Sequence, residues 1–468
     1  MSSRRFSTCA VIGLAVGMGA VGPPPVAGAA PPGASTAASR DVVVVGHGWG
    51  HGRGLGQFGA YGYAVADGWS YVRILGHYYG GTRAGRISNG NISVRLSSLE
   101  GPANPLRSTG SCITSAQSFT VGTWRVAGGS AARIVRSGVR WHVFTKFHGC
   151  AAGNTFGPVT VATPIVATAA RPGNTIARML EVCANGHSYR GTLRAVVQDR
   201  TVHLVNTVPM ESYLRGVVPR ESPASWGDGG GGRGMAALQA QAVAARSYAQ
   251  AENRYPPYAR TCDTTSCQVY GGAADHGAPL EDPRTNKAVA TTSRQVRVDA
   301  RNRVVRTEFS SSTGGWTAPG GPWPAVRDQG DSASPLHTWT TTLDGAALAR
   351  RYRVGAFRRL LVTAQNGLGA EGGRVNTVRV VGSAGSATVS GSQFSFDWSL
   401  NSDWFFPVDQ PRQQVTWLRY VRRPHSAQIY RQFSLASNGW KDAAPISTRD
   451  WVAKGRPRVT TVGRALVT

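Results

Sequence analysis

The chain has 468 residues, 41% of them apolar and 16% charged. That is enough hydrophobic material for two or three domains with real cores, which excludes a disordered polymer. It holds 51 basic against 24 acidic residues, a formal charge of +27, and all of the basic residues except Lys146, Lys287, Lys441 and Lys454 are arginine. A field of that sign concentrates anionic partners. No segment offers the roughly 18 consecutive apolar residues that a bilayer-spanning helix needs, so no permanent membrane span is expected.

The chain opens with Arg4 and Arg5, an apolar run from Cys9 to Val21, and the small residues Ala27-Gly28-Ala29. This is the layout of a cleavable secretory signal over 1–29, followed by a Pro/Gly/Ala linker over 30–40. The expected location is secreted, in the cell wall or extracellular. An exported basic chain meets wall phosphates, wall carboxylates and lipid head groups first, so nucleic acid is not an expected partner. A Val-rich strand, Asp41–Val45, then leads into a glycine-dense loop, Gly46–Gly59, and a helical, aromatic stretch from Ala60 to Tyr79. Together these make a motif segment over 41–84. Short alternating strands such as Trp141-His142-Val143-Phe144 and Thr201-Val202-His203-Leu204-Val205 predict an all-β region over 85–200.

From 201 to 408 the chain is mixed. Pro209-Met210-Glu211-Ser212-Tyr213-Leu214 predicts a short helix with proline in its first turn. A second helix is predicted from about Met235 to Arg254, stopped by Pro256-Pro257. At 100° per residue it places Leu238, Ala242, Ala245 and Ala249 on one buried stripe, with Gln239 and Arg246 on one flank and Gln241 and Tyr248 on the other. Strands return over Gln295–Phe309 and Arg374–Val389. The remainder, 409–468, carries Trp417, Trp440 and Trp451 in a basic context and is expected to be a small extra module. The fold class expected is α+β: strand-rich lobes around a helix hairpin that carries the catalytic turn, forming a groove.

Five cysteines remain after the leader: Cys112, Cys150, Cys183, Cys262 and Cys267. In an oxidising compartment Cys262 is expected to pair with Cys267 across a short loop, with one pair among the other three and one thiol left over. A zinc site gathering His47, His51, Cys262, Cys267 and His276 competes with that disulfide. Outside the cytoplasm the disulfide is the better expectation, so no metal is expected. Asp41–Gly48 imitates a strand entering a dinucleotide loop, with Asp67 about twenty residues on. However, His51 stands where the third glycine belongs, and no cofactor is expected.

The most informative stretch is Val217-Val218-Pro219-Arg220-Glu221-Ser222-Pro223-Ala224-Ser225-Trp226, followed by the alanine-rich run Ala236 to Tyr248. Two prolines and a tryptophan bracket a lone glutamate, and apolar neighbours would raise its pKa, as a general acid requires. On spacing alone, a surface glutamate in a proline turn is the commoner meaning.

The stretch resembles the core of the SpoIID/LytB family, the sporulation stage II protein D and amidase-enhancer group. The resemblance continues through Cys262-Asp263-Thr264-Thr265-Ser266-Cys267-Gln268-Val269-Tyr270-Gly271-Gly272 and Phe309-Ser310-Ser311-Ser312-Thr313-Gly314-Gly315, covering roughly 200–405. His51-Gly52 through Gln57 is similar to the family's glycine-rich motif, placed ahead of the core instead of after it.

The resemblance implies lytic cleavage between N-acetylmuramic acid and N-acetylglucosamine in peptidoglycan glycan strands, with strands stripped of stem peptides as the expected substrate. Glu221 would be the single acid/base. Hydrolases use two carboxylates, and Glu211 and Asp228 are the nearest candidates for a second. Arg246 and Gln241 are expected to orient the glycan or Glu221, and Tyr248, Gln268, Tyr270, Ser311, His51 and Gln57 to line the cleft. The rival reading is a non-catalytic protein that binds anionic wall polymers or glycan and enhances a wall amidase, an N-acetylmuramoyl-L-alanine amidase. In that case the turn at Glu221 is scaffold and the C-terminal tryptophans bind.

Overall fold

The structure, a computed structural model, describes residues 40–100, 111–146, 148–150, 155–161 and 165–408. Beyond these it describes the backbone of the strands Thr416–Arg423, Ser426–Ser434, Gly439–Asp442, Arg458–Val459 and Ala465–Val467. The expected leader, most of the linker, and Trp451 lie outside the described residues.

The protein is α+β. Among the described residues there are seven helices: α1 (Gln57–Val65), α2 (Tyr71–Tyr78), α3 (Met210–Glu221), α4 (Met235–Ala251), α5 (Pro283–Thr291), α6 (Gly345–Tyr352) and α7 (Gly391–Asp397). None is long and apolar enough to cross a membrane.

Two sheets dominate the first half, antiparallel throughout except where 261–262 pairs in parallel with 91–95. A seven-stranded sheet runs in the order 261–262, 91–95, 201–209, 192–198, 165–169, 119–121, 124–126, and an eight-stranded sheet in the order 155–161, 140–146, 131–137, 111–114, 180–182, 187–189, 274–275, 278–279. Alternation along the strands sends Ile92, Val94, Leu193, Ala195, Leu204 and Val208 into the same core as Ile113, Ile134, Trp141, Val143, Leu180 and Val182 from the second sheet. The hairpin Thr192–Gln198/Thr201–Pro209 turns through Asp199 and Arg200, with φ of 49° and 63°. Two consecutive left-handed residues give the twist a two-residue hairpin needs. Because this hairpin runs across 200–201, the β-rich stretch and the 201–408 stretch share one sheet.

The long strand passes directly into α3. Pro209 sits at the cap, where its missing N–H costs nothing, and the helix continues to Glu221 despite Pro219 in its last turn. The short helix expected at 209–214 is therefore only the first half of α3. Proline at 219 removes one backbone donor near the end, and the chain leaves the helix at Ser222 in an extended conformation. Pro223 then opens a short 3₁₀ turn, Ala224–Asp228.

The expected stripe on α4 is too narrow. Apart from Gln239, every residue from Ala237 to Ala249 is buried. Ala242, Ala245 and Ala249 face the sheet core, while Ala237, Leu238, Ala240, Val243 and Ala244 join a second core with Leu55, Tyr63, Ile74, Tyr78, Tyr79 and Trp226. A helix covered on every side is a central element, and alanine lets its neighbours come close. The helix ends three residues earlier than predicted, at Ala251 instead of Arg254.

A third core, with Val42, Val44, Trp339, Leu360, Val378, Phe394 and Phe405, joins the N-terminal strand to the C-terminal part of the described fold. There Val42–His47 pairs antiparallel with Thr338–Leu343 on one side and Phe405–Pro407 on the other. The last strands form a five-stranded sheet of their own.

Candidate active site

Glu221 is the last residue of α3. A carboxylate at a helix C-terminus faces the negative end of the backbone dipole, which disfavours ionisation. Burial pushes the carboxyl above its ordinary value, and three groups offset part of that effect: the Val269 N–H, the Gln57 side chain and the Arg220 charge. The Val269 N–H donates to Oε1 at 2.8 Å. Gln57 sits beside the same carboxyl, but its Nε2 makes no well-formed hydrogen bond.

Glu221 opens onto a cleft of about 720 Å³. Its walls come from five places in the chain: Trp49, His51, Arg53, Gln57 and Phe58 from the glycine-rich loop and the start of α1; Arg220, Pro223 and Trp226 around the end of α3; Tyr248 from α4; Thr265, Ser266, Cys267 and Val269 in and beside the disulfide loop; and Arg306, Glu308, Phe309, Ser310 and Ser311 from the segment around the short 309–310 strand.

The glycine-rich loop reaches the cleft by binding along that strand. Leu55–Gly56 pairs in parallel with Phe309–Ser310, and the Phe58 N–H donates to the Ser311 carbonyl at 3.0 Å. At Gly54, φ is +69° and a Cβ would lie 2.0 Å from the Glu308 carbonyl, so only glycine permits this approach.

The disulfide loop is closed by Cys262–Cys267, and Cys150–Cys183 forms the second bridge, leaving Cys112 as the free thiol among the described residues. With Cys262 and Cys267 bonded to each other, the alternative zinc set is dismantled.

Of the residues singled out from the sequence, Glu221, His51, Gln57, Tyr248 and Ser311 line the cleft. The other four do not, and their expected roles need correction. Arg246 is 0% exposed. Its Nε and Nη2 donate to the two carboxylate oxygens of Glu211 at 3.0 and 2.7 Å, and Nη1 and Nη2 donate to the Gln295 and Val289 carbonyls at 3.1 and 3.3 Å. It staples α3, α4, α5 and the 295–298 strand together, and Glu211 is its partner, not a second cleft carboxylate. Gln241 is buried in α4 with both amide atoms unpartnered. Gln268 accepts from the Tyr213 hydroxyl at 2.9 Å and donates to the Ala245 carbonyl at 3.3 Å, which fixes the backbone beside Val269. Tyr270 donates to Asn206 at 2.8 Å inside the sheet core. Asp228 is turned to Arg284 and is not among the residues lining the cleft.

The second carboxylate that does line the cleft is Glu308, which the sequence did not single out. Arg53 grips it with two hydrogen bonds, at 2.7 and 3.2 Å, and Arg306 adds a third at 2.9 Å. Burial raises its carboxyl, but the Arg53 bonds and the neighbouring positive charges outweigh this and hold it below the ordinary value. Arg306 also bonds Glu252 at 3.2 Å and the Tyr248 hydroxyl at 2.5 Å. The two cleft carboxyls are therefore driven apart, Glu221 toward the neutral acid and Glu308 toward a fixed anion.

Residues 198–298 match the family model described as SpoIID, stage II sporulation protein. The chain carries a domain of the SpoIID/LytB family. This domain spans the end of the 192–198/201–209 hairpin, the turn at Glu221, the whole of α4 and the disulfide loop. Among curated proteins, the amidase enhancer of Bacillus subtilis (strain 168) is 36% identical over 135 residues, 28% of this chain and 17% of that protein. An uncharacterized protein of Brachyspira hyodysenteriae (strain ATCC 49526 / WA1) is 34% identical over 138 residues, 28% of this chain and 33% of its own. The matched region thus spans a third or less of either relative. No solved structure gave a significant match.

Proposed function

We propose that this protein is a peptidoglycan lytic transglycosylase that cleaves the bond between N-acetylmuramic acid and N-acetylglucosamine and leaves 1,6-anhydro-muramic ends. The observation that carries the reading is Glu221, a carboxyl raised by burial at the end of α3 and open to a cleft. Held neutral, it protonates the leaving glycosidic oxygen. As carboxylate it then takes the proton from the muramic 6-hydroxyl, which closes on the anomeric carbon. One group serves both steps and water does not enter the product. Glu308 favours this over hydrolysis, because a carboxylate held by Arg53 and Arg306 has its lone pairs engaged and is a poor base for water. Its fixed charge suits a neighbouring oxocarbenium-like centre.

The printed name of the Bacillus relative, amidase enhancer, supports a second reading: a wall-binding protein that assists a wall amidase without cleaving glycan. Mass spectrometry of peptidoglycan, intact and amidase-treated, after incubation with wild type and Glu221→Gln separates the two. Anhydro ends made by wild type alone support the lyase. If neither protein makes them while both stimulate an added amidase, the enhancer is the correct reading.

Export to the wall is part of the same proposal, supported by the signal-like residues at the N-terminus and the charge of +27. The protein should fractionate with walls and be released by 1 M salt, where screening shortens the field to about 3 Å. Retention in the cytoplasm would refute it.

A further inference from the structure

Trp49 lines the cleft with Glu221, yet its side chain is 50% exposed. An indole half in solvent contributes less to folding than a buried one, and here the backbone that carries it is held by a frame that does not use the side chain. The Trp49 N–H donates to the Ser312 carbonyl at 2.9 Å, and the Ser312 N–H returns a bond to the Trp49 carbonyl at 3.1 Å. On one side Gly48 has φ of +75°, and a Cβ there would lie 2.7 Å from Gly314 N and the Ser312 carbonyl. On the other, Gly50 has φ of +94°, donates its N–H to the Asn401 carbonyl at 2.8 Å, and accepts from Arg374 Nη1 at 3.0 Å. The loop thus spends its glycines on fixing an exposed aromatic face at the cleft wall.

His51 follows two residues later on the same wall. Its Nδ1 accepts the Arg53 backbone N–H at 3.0 Å, so the proton of the neutral ring sits on Nε2. Partial desolvation of the ring and then the charge of Arg53 lower the imidazole pKa, with Glu308 opposing them and Arg374 and Arg306 adding to them, although the residue itself stays exposed to solvent. At neutral pH it is an uncharged donor with a fixed tautomer. The nearby guanidiniums of Arg53 and Arg306 are already engaged by Glu308 and Glu252. This wall therefore offers an aromatic face and a neutral N–H, a combination that fits an uncharged sugar better than a polyanion.

We propose that Trp49 and His51 form a sugar subsite of the cleft, in which the indole stacks on the apolar C–H face of an N-acetylhexosamine ring and His51 Nε2 donates to an oxygen of the same sugar. This rests on the glycan reading of the cleft, and it names two side chains that select a pyranose ring independently of the acid at Glu221.

The test is calorimetric titration of the full chain, carrying Glu221→Gln to prevent turnover, with the N-acetylglucosamine hexamer as probe. Adding Trp49→Ala should weaken binding about tenfold, and Trp49→Phe should restore most of it. His51→Ala should weaken binding by a similar factor, and His51→Gln, which keeps an N–H donor, should recover part. Trp124, 39% exposed on the β-rich lobe and not among the cleft residues, is the control, and Trp124→Ala should leave affinity unchanged. Equal affinity of the Trp49→Ala protein and its parent, or no binding of the hexamer to the parent, would overturn the subsite. If wild type makes no anhydro ends but Trp49→Ala still loses the hexamer, the lyase reading falls and the subsite stands. If ends are made and Trp49→Ala binds normally, the reverse holds.

Discussion

Arg246 offers the sharpest separation of structure from chemistry, because its place in the alanine-rich motif invites a catalytic role while its surroundings assign it a structural one. Arg246→Ala removes a guanidinium that is 0% exposed, strips Glu211, whose side chain is 25% exposed, of its charge partner while leaving it the Arg294 N–H, and takes one donor from each of the carbonyls of Gln295 and Val289. Breaking a buried pair costs about 3–5 kcal/mol. Since Glu211 regains some water, the lower end applies, about 3 kcal/mol. The fold is one compact unit, Ser39–Thr468, for which the unfolding entropy makes each kcal/mol worth about 1 °C, so the melting temperature should fall by about 3 °C.

The companion variant Arg246→Met with Glu211→Leu removes both charges and keeps the volume. It should recover most of the loss, giving a double-mutant coupling of about 2 kcal/mol. The assay is thermal and urea unfolding followed by circular dichroism, with hexamer titration below the melting range. The structural assignment predicts a lowered melting temperature and an unchanged hexamer affinity. A melting temperature within 2 °C of wild type with abolished binding would refute it and return Arg246 to the glycan.

Two other consequences follow from the ionisation of buried groups. The folded-state pKa of Glu221 is raised, so its contribution to stability is fully present below the ordinary glutamate range and is lost as pH rises through the folded value. Glu221→Gln should therefore unfold at higher urea than wild type at neutral pH and match it near pH 4; a stability gain that is the same at both pH values would contradict the raised carboxyl. Asp328 is fully buried beside Asp331 and pushed up to about 7, by burial first and by the Asp331 charge second. Its contribution disappears as pH rises through about 7, by at most about 4 kcal/mol. The His337 imidazolium is raised by its 2.9 Å bond to Asp331, and its contribution is likewise lost above its ordinary range. The melting temperature should fall between pH 6 and pH 8, and Asp328→Asn should flatten that slope; an unchanged slope would remove Asp328 as its source.

What was legible in the sequence was local. Period-two alternation gave the strands around Trp141 and Leu204, and proline at 209 marked the start of α3. The proline-flanked glutamate stood out because few carboxyls lie among so many apolar and small residues. The surroundings of α4 were not legible, because an alanine-rich helix has a weak hydrophobic stripe whether one side or all sides are covered. Arg246 and Gln241 on its flanks read equally well as groups facing a cleft or groups locked into a core.

Glu308 was invisible for a different reason. It sits in an arginine-rich segment just ahead of the short 309–310 strand that reads as a solvated edge, and it acquires meaning only from Arg53, 255 positions earlier in the chain. The same long-range closure explains the glycine-rich loop. Its alternating glycines imitate a nucleotide loop when read alone. Against the 308–315 segment, two of them instead permit a backbone contact that a Cβ would block, at Gly48 with Ser312 and Gly314 and at Gly54 with Glu308. The loop's residues are therefore constrained by a segment that only the fold brings alongside them. Substituting Gly54 with alanine would put a Cβ 2.0 Å from the Glu308 carbonyl and 3.0 Å from the buried Tyr79 ring, displacing Arg53 from Glu308 and pressing on the second core together, so the loop and the cleft's charge pattern are one construction.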